Sequence, residues 1–388
     1  MVKLTVEEIR DVESFQELRE EWDNLLEKSG DNNVFLTWEW LFLWWRYHRS
    51  DKQLRILLIK DQDNIVGIAP FMEWRYQKGF FHINIMENIC AEECDYSGVI
   101  LTDHIEESLS TLLDYLQGII RDGKTLVRIW HVPGQSDFLT TLNEIYQSYI
   151  NKLSLHSRIS GICPYIDLPA TWDEFFQTLG GNTRKTYRRQ INRLERDYTV
   201  EFNKYCGEND LNDKLENLFN FHKKRWEQRE INSKFMEMES RGFYFDVSKA
   251  FYEKGWLDLS FINIDDKTVS IEWGFNYNGG YWNMTRSFDP DFSRYGVGSI
   301  HAMYLIQDAI NKNQNKFDLL KGTESYKNHY TKNQTLNYVI TINSKSFTGI
   351  CRVIILDLFA KFARFNNRSF RENITLLAKK IRSGKNSE

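Results

Sequence analysis

Apolar and polar residues alternate over 270–276 (Ser-Ile-Glu-Trp-Gly-Phe-Asn) and again over 280–287 (Gly-Tyr-Trp-Asn-Met-Thr-Arg-Ser), with Asn278 and Gly279 between the two runs. A period of two interrupted by Asn-Gly predicts a β-hairpin. After Asp289-Pro-Asp-Phe-Ser-Arg-Tyr-Gly-Val-Gly-Ser the period lengthens. Met303, Ile306 and Ile310, with Leu305 and Ala309 alongside, predict a helix over 300–311. A strand that opens through Gly-x-Gly into a helix start makes an anion cradle. Glycines admit close backbone approach, and free N–H groups and the helix dipole favour phosphate.

The same grammar occurs twice. Residues 54–71 and 257–275 each read strand, acidic turn, strand. Two helical patterns precede each hairpin, over 14–28 and 37–48, then over 211–230 and 240–254. Another strand, a helix and a last strand follow each: 106–121 and 126–131, then 300–311 and 317–321. The chain therefore reads as a duplicated α,α,β,β,β,α,β unit. The expected division is a first module over 1–160, a second over 161–345 and a basic helical tail over 346–388. Pro164 and Pro169 mark a linker or crossing strand between the modules. The first copy carries Ile89-Cys-Ala-Glu-Glu-Cys-Asp-Tyr-Ser-Gly where the second has its glycine loop, and that acidic stretch would repel phosphate.

Composition narrows the class. The 388 residues suffice for two domains with cores, and 15% aromatic content with twelve Trp argues against disorder. A net charge of −4 excludes a bulk nucleic-acid binder. Five scattered Cys suit a reducing, cytoplasmic setting rather than a disulfide framework. Cys90 and Cys94 have no second pair at ligand spacing, so no metal is expected. No signal pattern opens the sequence, and no apolar run reaches the length of a membrane span.

Basic residues cluster in one place. Residues 182–198 predict a helix capped by Asn182, with Tyr187, Ile191, Leu194 and Tyr198 as its buried stripe. Arg184, Lys185, Arg188, Arg189, Arg193 and Arg196 cover the rest, as either a solvated face or a phosphate-contacting one. Downstream, His222, Arg225 and Trp226 lie on an amphipathic helix where they can wall a groove and grip an acceptor.

The loop Ser293-Arg-Tyr-Gly-Val-Gly resembles the pyrophosphate loop of Gcn5-related N-acetyltransferases (GNAT), although its basic residue, Arg294, stands one position off the family pattern. Further marks are Phe35-Leu-Thr-Trp-Glu-Trp-Leu, Ile65-Val-Gly-Ile-Ala-Pro-Phe, Cys94-Asp-Tyr-Ser-Gly, Arg184-Lys-Thr-Tyr-Arg-Arg, His222-Lys-Lys-Arg-Trp and Gly322-Thr-Glu-Ser-Tyr-Lys. In order and spacing they resemble the CelD-like N-acyltransferases of that superfamily, relatives of the FemAB transferases. The resemblance spans roughly 15–335 and implies an α/β fold of tandem mixed-sheet modules. It also implies acyl transfer from acyl-coenzyme A, without metal, to an amine of an amino sugar or another envelope or exopolysaccharide precursor.

Acyl transfer to an amine needs both partners held, the ammonium deprotonated, the carbonyl polarised and the thiolate protonated. Arg294, Gly296, Val297, Gly298 and Ser299 are expected to hold the donor. Glu272, among strand aromatics, is the expected general base, with a salt bridge to Arg286 as its structural alternative. Tyr326 and Lys327 follow the strand beside the donor and are expected to be catalytic, with Tyr326 protonating the thiolate. Asp95, His222, Arg225, Trp226 and Asp289 are the expected substrate contacts. Two other functions compete: a FemAB-type transferase using aminoacyl-tRNA through the 184–196 face, and a non-catalytic accessory of a polysaccharide synthase. In the tail, Ile350, Ile354, Leu358 and Phe362 repeat every four residues among an excess of Arg and Lys, which suits either packing of that stripe on the second module or an anionic inner-membrane surface.

Overall fold

Each half has an edge strand that the hydrophobic pattern did not reveal. In the computed structural model, which describes residues 3–91, 93–207, 210–227 and 234–356, these are β1 (Leu4–Ile9) and later β8. The first half continues with α1 (Val12–Glu17), α2 (Arg19–Lys28), α3 (Trp38–His48), β2 (Gln53–Asp61), β3 (Asn64–Lys78) and β4 (Phe81–Asn88). It closes with β5 (Ile100–Leu101), α4 (Ile105–Ile120), β6 (Thr125–Pro133) and α5 (Asp137–Tyr149). A long strand, β7 (Leu153–Asp167), leads to α6 (Trp172–Thr178), α7 (Gly181–Asp197), β8 (Val200–Lys204), α8 (Leu211–Glu227) and α9 (Met238–Glu253). The chain ends in β9 (Leu257–Ile264), β10 (Lys267–Tyr277), β11 (Gly280–Phe288), α10 (Val297–Asn311), β12 (Lys316–Asp318) and β13 (Gln334–Ser344).

The thirteen strands of the described residues form one sheet, ordered β1-β2-β3-β4-β6-β13-β7-β12-β11-β10-β9-β8, with β5 paired to β3. The order is symmetric about its centre. In each half a meander of antiparallel strands ends in a parallel pair, β4 with β6 and β11 with β12. At the centre the halves exchange strands. β7 follows the first half but pairs with β12, and β13 follows the second but pairs with β6. The segment expected as linker or crossing strand is therefore a crossing strand, and the expected boundary at 160/161 falls inside it.

Two helical layers cover the sheet. α4 and α5 pack Leu109, Leu112, Leu116, Leu139 and Leu142 onto Val127, Ile129, Ile340 and Ile342. On the other face the amphipathic α3 and α9 pack against each other, and Trp40, Phe243, Phe251, Trp273 and Phe275 form one aromatic seam across both halves. Its indoles are satisfied: Trp40 donates to Cys90 Sγ at 3.1 Å and Trp273 to Ser248 Oγ at 2.7 Å. Each fully buried Phe contributes about 1.5–3 kcal/mol, so the seam resists separation.

Local chemistry sets the helix starts. Thr37 caps α3, and Thr171 with Glu174 forms a capping box on α6. The expected Asn182 cap is absent: the cap position falls two residues earlier, at Gly180, with no side-chain hydrogen bond. A helical segment over 347–356 follows β13, and Val353 and Leu356 reach the cluster of Ile83, Ile85 and Leu126. The remainder of the basic tail, from residue 357, lies outside the described residues. Among the described residues no helix is long and apolar enough to cross a membrane.

Candidate active site

β11 makes the site by losing a neighbour. On one side it pairs with β10 as far as Ser270–Phe288. On the other it pairs with β12 only at Gly280–Lys316, Tyr281–Phe317 and Trp282–Asp318. Beyond Trp282 the two strands part, and a cleft of about 800 Å³ opens between Asn283–Phe288 and Leu319–Lys321. A strand edge without a partner presents backbone N–H and C=O groups to whatever fills the gap.

The start of α10 closes one end of the cleft. A 3-10 turn, Pro290–Tyr295, is capped by Asp289, and Gly296 follows in the left-handed region at φ 74°. Ser299 N and Ile300 N fold back on Gly296 O at 2.9 and 3.0 Å, so the first amides of the helix, those of Val297 and Gly298, precede its hydrogen-bond ladder. Both glycines also answer to the protein. A Cβ on Gly296 would lie 2.1 Å from Gln190 of α7, and one on Gly298 would lie 3.1 Å from the Phe288 ring. The basic helix α7 thus stands directly against the loop at Gly296.

Arg286 ties this helix start to the strands. Its Nη1 donates to Gly298 O at 2.7 Å, its Nη2 to Asn283 Oδ1 at 3.1 Å, and its Nε to the Glu272 carboxylate. Asn283 donates to the other Glu272 oxygen at 2.6 Å. Glu272 is fully buried; burial raises its pKa, and Arg286 opposes that rise. Burial also works against the Arg286 charge, but Glu272 together with Tyr326 and Tyr330 outweighs it and holds the guanidinium ionised. The expectation of Glu272 as general base is corrected here. It lies behind the cleft wall with both oxygens engaged, and the salt-bridge alternative is the one realised. Behind it, His301 of α10 bonds Ser270 Oγ at 2.8 Å and Ser260 Oγ at 3.0 Å, and burial keeps it neutral.

The other expected residues divide. Gly296, Val297, Gly298, Ser299, Tyr326 and Lys327 line the cleft. So do Asp95, His222, Arg225 and Trp226, brought from the first half and from α8. His222 stacks on Trp226 at 5.4 Å, and the Arg225 guanidinium lies 4.9 Å from the Phe288 ring centre. Tyr326 is 37% exposed; burial raises its pKa against the pull of Arg286, so its hydroxyl stays protonated. Two residues fall away from the cleft. Arg294 is exposed and turned onto Tyr295, 3.1 Å from its hydroxyl. Asp289 is occupied in capping the 3-10 turn and in a 2.8 Å pair with Lys267, which holds its carboxyl low despite burial.

Lys321, Gln190 and Asn283 line the cleft without having been singled out by the sequence. Lys321 N donates to Asp95 Oδ2 at 3.1 Å, and its Nζ lies 3.2 Å from His131 Nε2. Burial, with Lys321 adding to it, depresses His131 to about 3, so this neutral ring accepts from the ammonium. Cys90, Cys94 and Cys163 are buried free thiols, and no group of three or more His, Cys, Asp or Glu among the described residues could hold a metal ion.

Residues 181–328 match the family described as acetyltransferase (GNAT) domain. No curated protein matches the chain. Among solved structures the fold is similar to FemX, at 10% identity and a TM-score of 0.58 over 83% of this chain and 95% of that one. It is similar to a conserved protein of unknown function from Bacteroides thetaiotaomicron, at 13% identity and a TM-score of 0.52 over 84% and 97%. L-PGS from Bacillus licheniformis has 12% identity and a TM-score of 0.52 over 87% and 96%. Residues 181–328 are thus the part of the chain that matches an acetyltransferase (GNAT) domain, which supports an acyltransferase, and the chain as a whole shares the fold of FemX.

Proposed function

We propose that this acyltransferase moves an acyl group from acyl-coenzyme A to an amine of an amino sugar or another cell-envelope or exopolysaccharide precursor. The parting of β11 and β12 beside the start of α10 carries the donor half of this reading. The pyrophosphate takes the amides of Val297 and Gly298 with the Ser299 hydroxyl, and the pantetheine arm takes the open edge of β11. The same edge supplies N–H groups to the thioester carbonyl. The acceptor enters along His222, Arg225 and Trp226 beside Asp95, and its amine attacks after its ammonium has given its proton to water. As the C–N bond forms and the C–S bond breaks, the Tyr326 hydroxyl delivers a proton to the leaving sulfur. The amine and envelope class of the acceptor rests on the CelD-like marks of the sequence.

Native mass spectrometry of freshly purified protein tests the donor: a retained acyl-coenzyme A supports it, and the lack of any saturable coenzyme A binding in calorimetry rejects it. Tyr326→Phe should lower thiol release about 10²-fold while coenzyme A affinity stays unchanged.

One observation favours a second reading, an aminoacyl-tRNA-dependent transferase. Arg184, Lys185 and Arg188 line a separate surface cavity of about 510 Å³ beside Phe176. Binding of tRNA that falls steeply with salt, and that coenzyme A does not displace, would replace the first reading with this one.

A further inference from the structure

We infer that Lys327 is a positioning residue that holds the donor cleft open, touching neither the acyl group nor the acceptor; this rests on the donor reading above. A lysine ammonium has three donors and no acceptor. All three are engaged: Leu320 O at 3.0 Å, Lys321 O at 3.1 Å and the Glu324 carboxylate at 3.1 Å. The side chain is 5% exposed although the residue lines the cleft.

What Lys327 holds is the turn that ends β12. Leu320 sits in the left-handed region at φ 57°, a conformation a leucine keeps only when its surroundings enforce it. The amides of the turn are fixed by other groups. Leu319 N bonds Pro164 O at 2.9 Å, Leu320 N bonds Asp318 Oδ1 at 2.9 Å, and Gly322 N bonds Ile162 O at 3.0 Å. Lys321 N is held by Asp95 of the first half at 3.1 Å. The carbonyls of Leu320 and Lys321 are held by Lys327. Without this turn β12 can run on beside β11 and complete the parallel ladder, which would occupy the strand edge that the pantetheine arm needs. Lys327 therefore acts through Leu320 and Lys321, and the first half takes part through Asp95.

Calorimetry with coenzyme A and thiol release from acetyl-coenzyme A test this on the full chain. Lys327→Met should weaken coenzyme A at least tenfold, with the fractional loss of thiol release constant across pH, because no proton is exchanged. Lys327→Arg should recover most of the affinity, and Leu320→Gly in the Lys327→Met background should recover part of it by relieving the left-handed residue. A Lys327→Met chain with wild-type coenzyme A affinity overturns the inference. If its pH profile changes as well, Lys327 is a catalytic residue instead. Should the wild type bind no coenzyme A, the donor reading fails by itself. Hydrogen exchange at Leu320 and Lys321 then decides the clamp: faster exchange in Lys327→Met supports it and unchanged exchange rejects it.

Discussion

The two halves place the same backbone at the same point and fill it differently. α10 begins after Gly296 and α4 after His104, and both residues are left-handed, at φ 74° and 49°. The first turn of α10 is Val297-Gly298-Ser299; that of α4 is Ile105-Glu106-Glu107. Two carboxylates at a helix start already satisfy its dipole and repel phosphate. The parallel pairs differ too. β4 and β6 part after Glu87–Arg128, but there the fully buried Asn88 accepts from Trp130 N at 2.7 Å and bridges the gap. Beyond Trp282, the second half bridges nothing and a cleft results. The first half lends Asp95 and a docking edge for β13, while the cleft lies mainly in the second.

The largest expected effect comes from breaking the device that only the second half has. Arg286→Leu leaves Glu272 buried without its partner, and chemical denaturation should register a loss of about 3–5 kcal/mol. Gly298→Val drives a side chain toward Phe288 and over the helix start. Coenzyme A affinity should fall about a hundredfold or more in calorimetry with the far-UV spectrum unchanged, and retained affinity would remove the loop from donor binding. Ser299→Glu copies the first half's acidic start into the second. It should weaken coenzyme A about tenfold, by an amount that shrinks with added salt, whereas Glu107→Ser in the first half should leave affinity as it was.

The smallest effect concerns how the first half satisfies another helix. Asp31 accepts from Asp137 N and Phe138 N at the start of α5, at 3.1 and 3.3 Å. Burial raises its carboxyl from 3.8 to about 6, against those two hydrogen bonds. The folded chain thus binds this proton more tightly than the unfolded one. Stability should decline as pH rises from about 4 to about 6. In Asp31→Asn that share of the slope should vanish from melting temperatures measured across the window; an identical slope would assign the pH dependence elsewhere.

Periodicity and turn residues determined much by themselves. Alternation around Asn278-Gly279 gave the hairpin, because both turn residues take positive φ there, and the 3.6 period gave α10. The repeated order of elements pointed to duplication, since each hairpin needs the same helices to bury it. Strand exchange at the centre was hidden, because β7 and β13 find partners more than a hundred residues away and no local pattern encodes that choice. The exchange matters to the site, since β7 carries the carbonyls of Ile162 and Pro164 that fix the Leu319–Gly322 turn.

The fate of Glu272 shows the boundary most clearly. Counted from the turn, Tyr277 faces Gly280, and an unbroken ladder would set Glu272 opposite Thr285. A register shift between Trp273 and Phe275 moves it opposite Arg286 instead. At Gly274 a Cβ would lie 2.5 Å from the Tyr281 hydroxyl, so the glycine is what the local packing admits. The sequence alone determined the residue types, a carboxylate and a guanidinium on neighbouring strands. Only the tertiary structure decided that they meet, because a one-residue slip in a sheet reassigns every cross-strand partner beyond it.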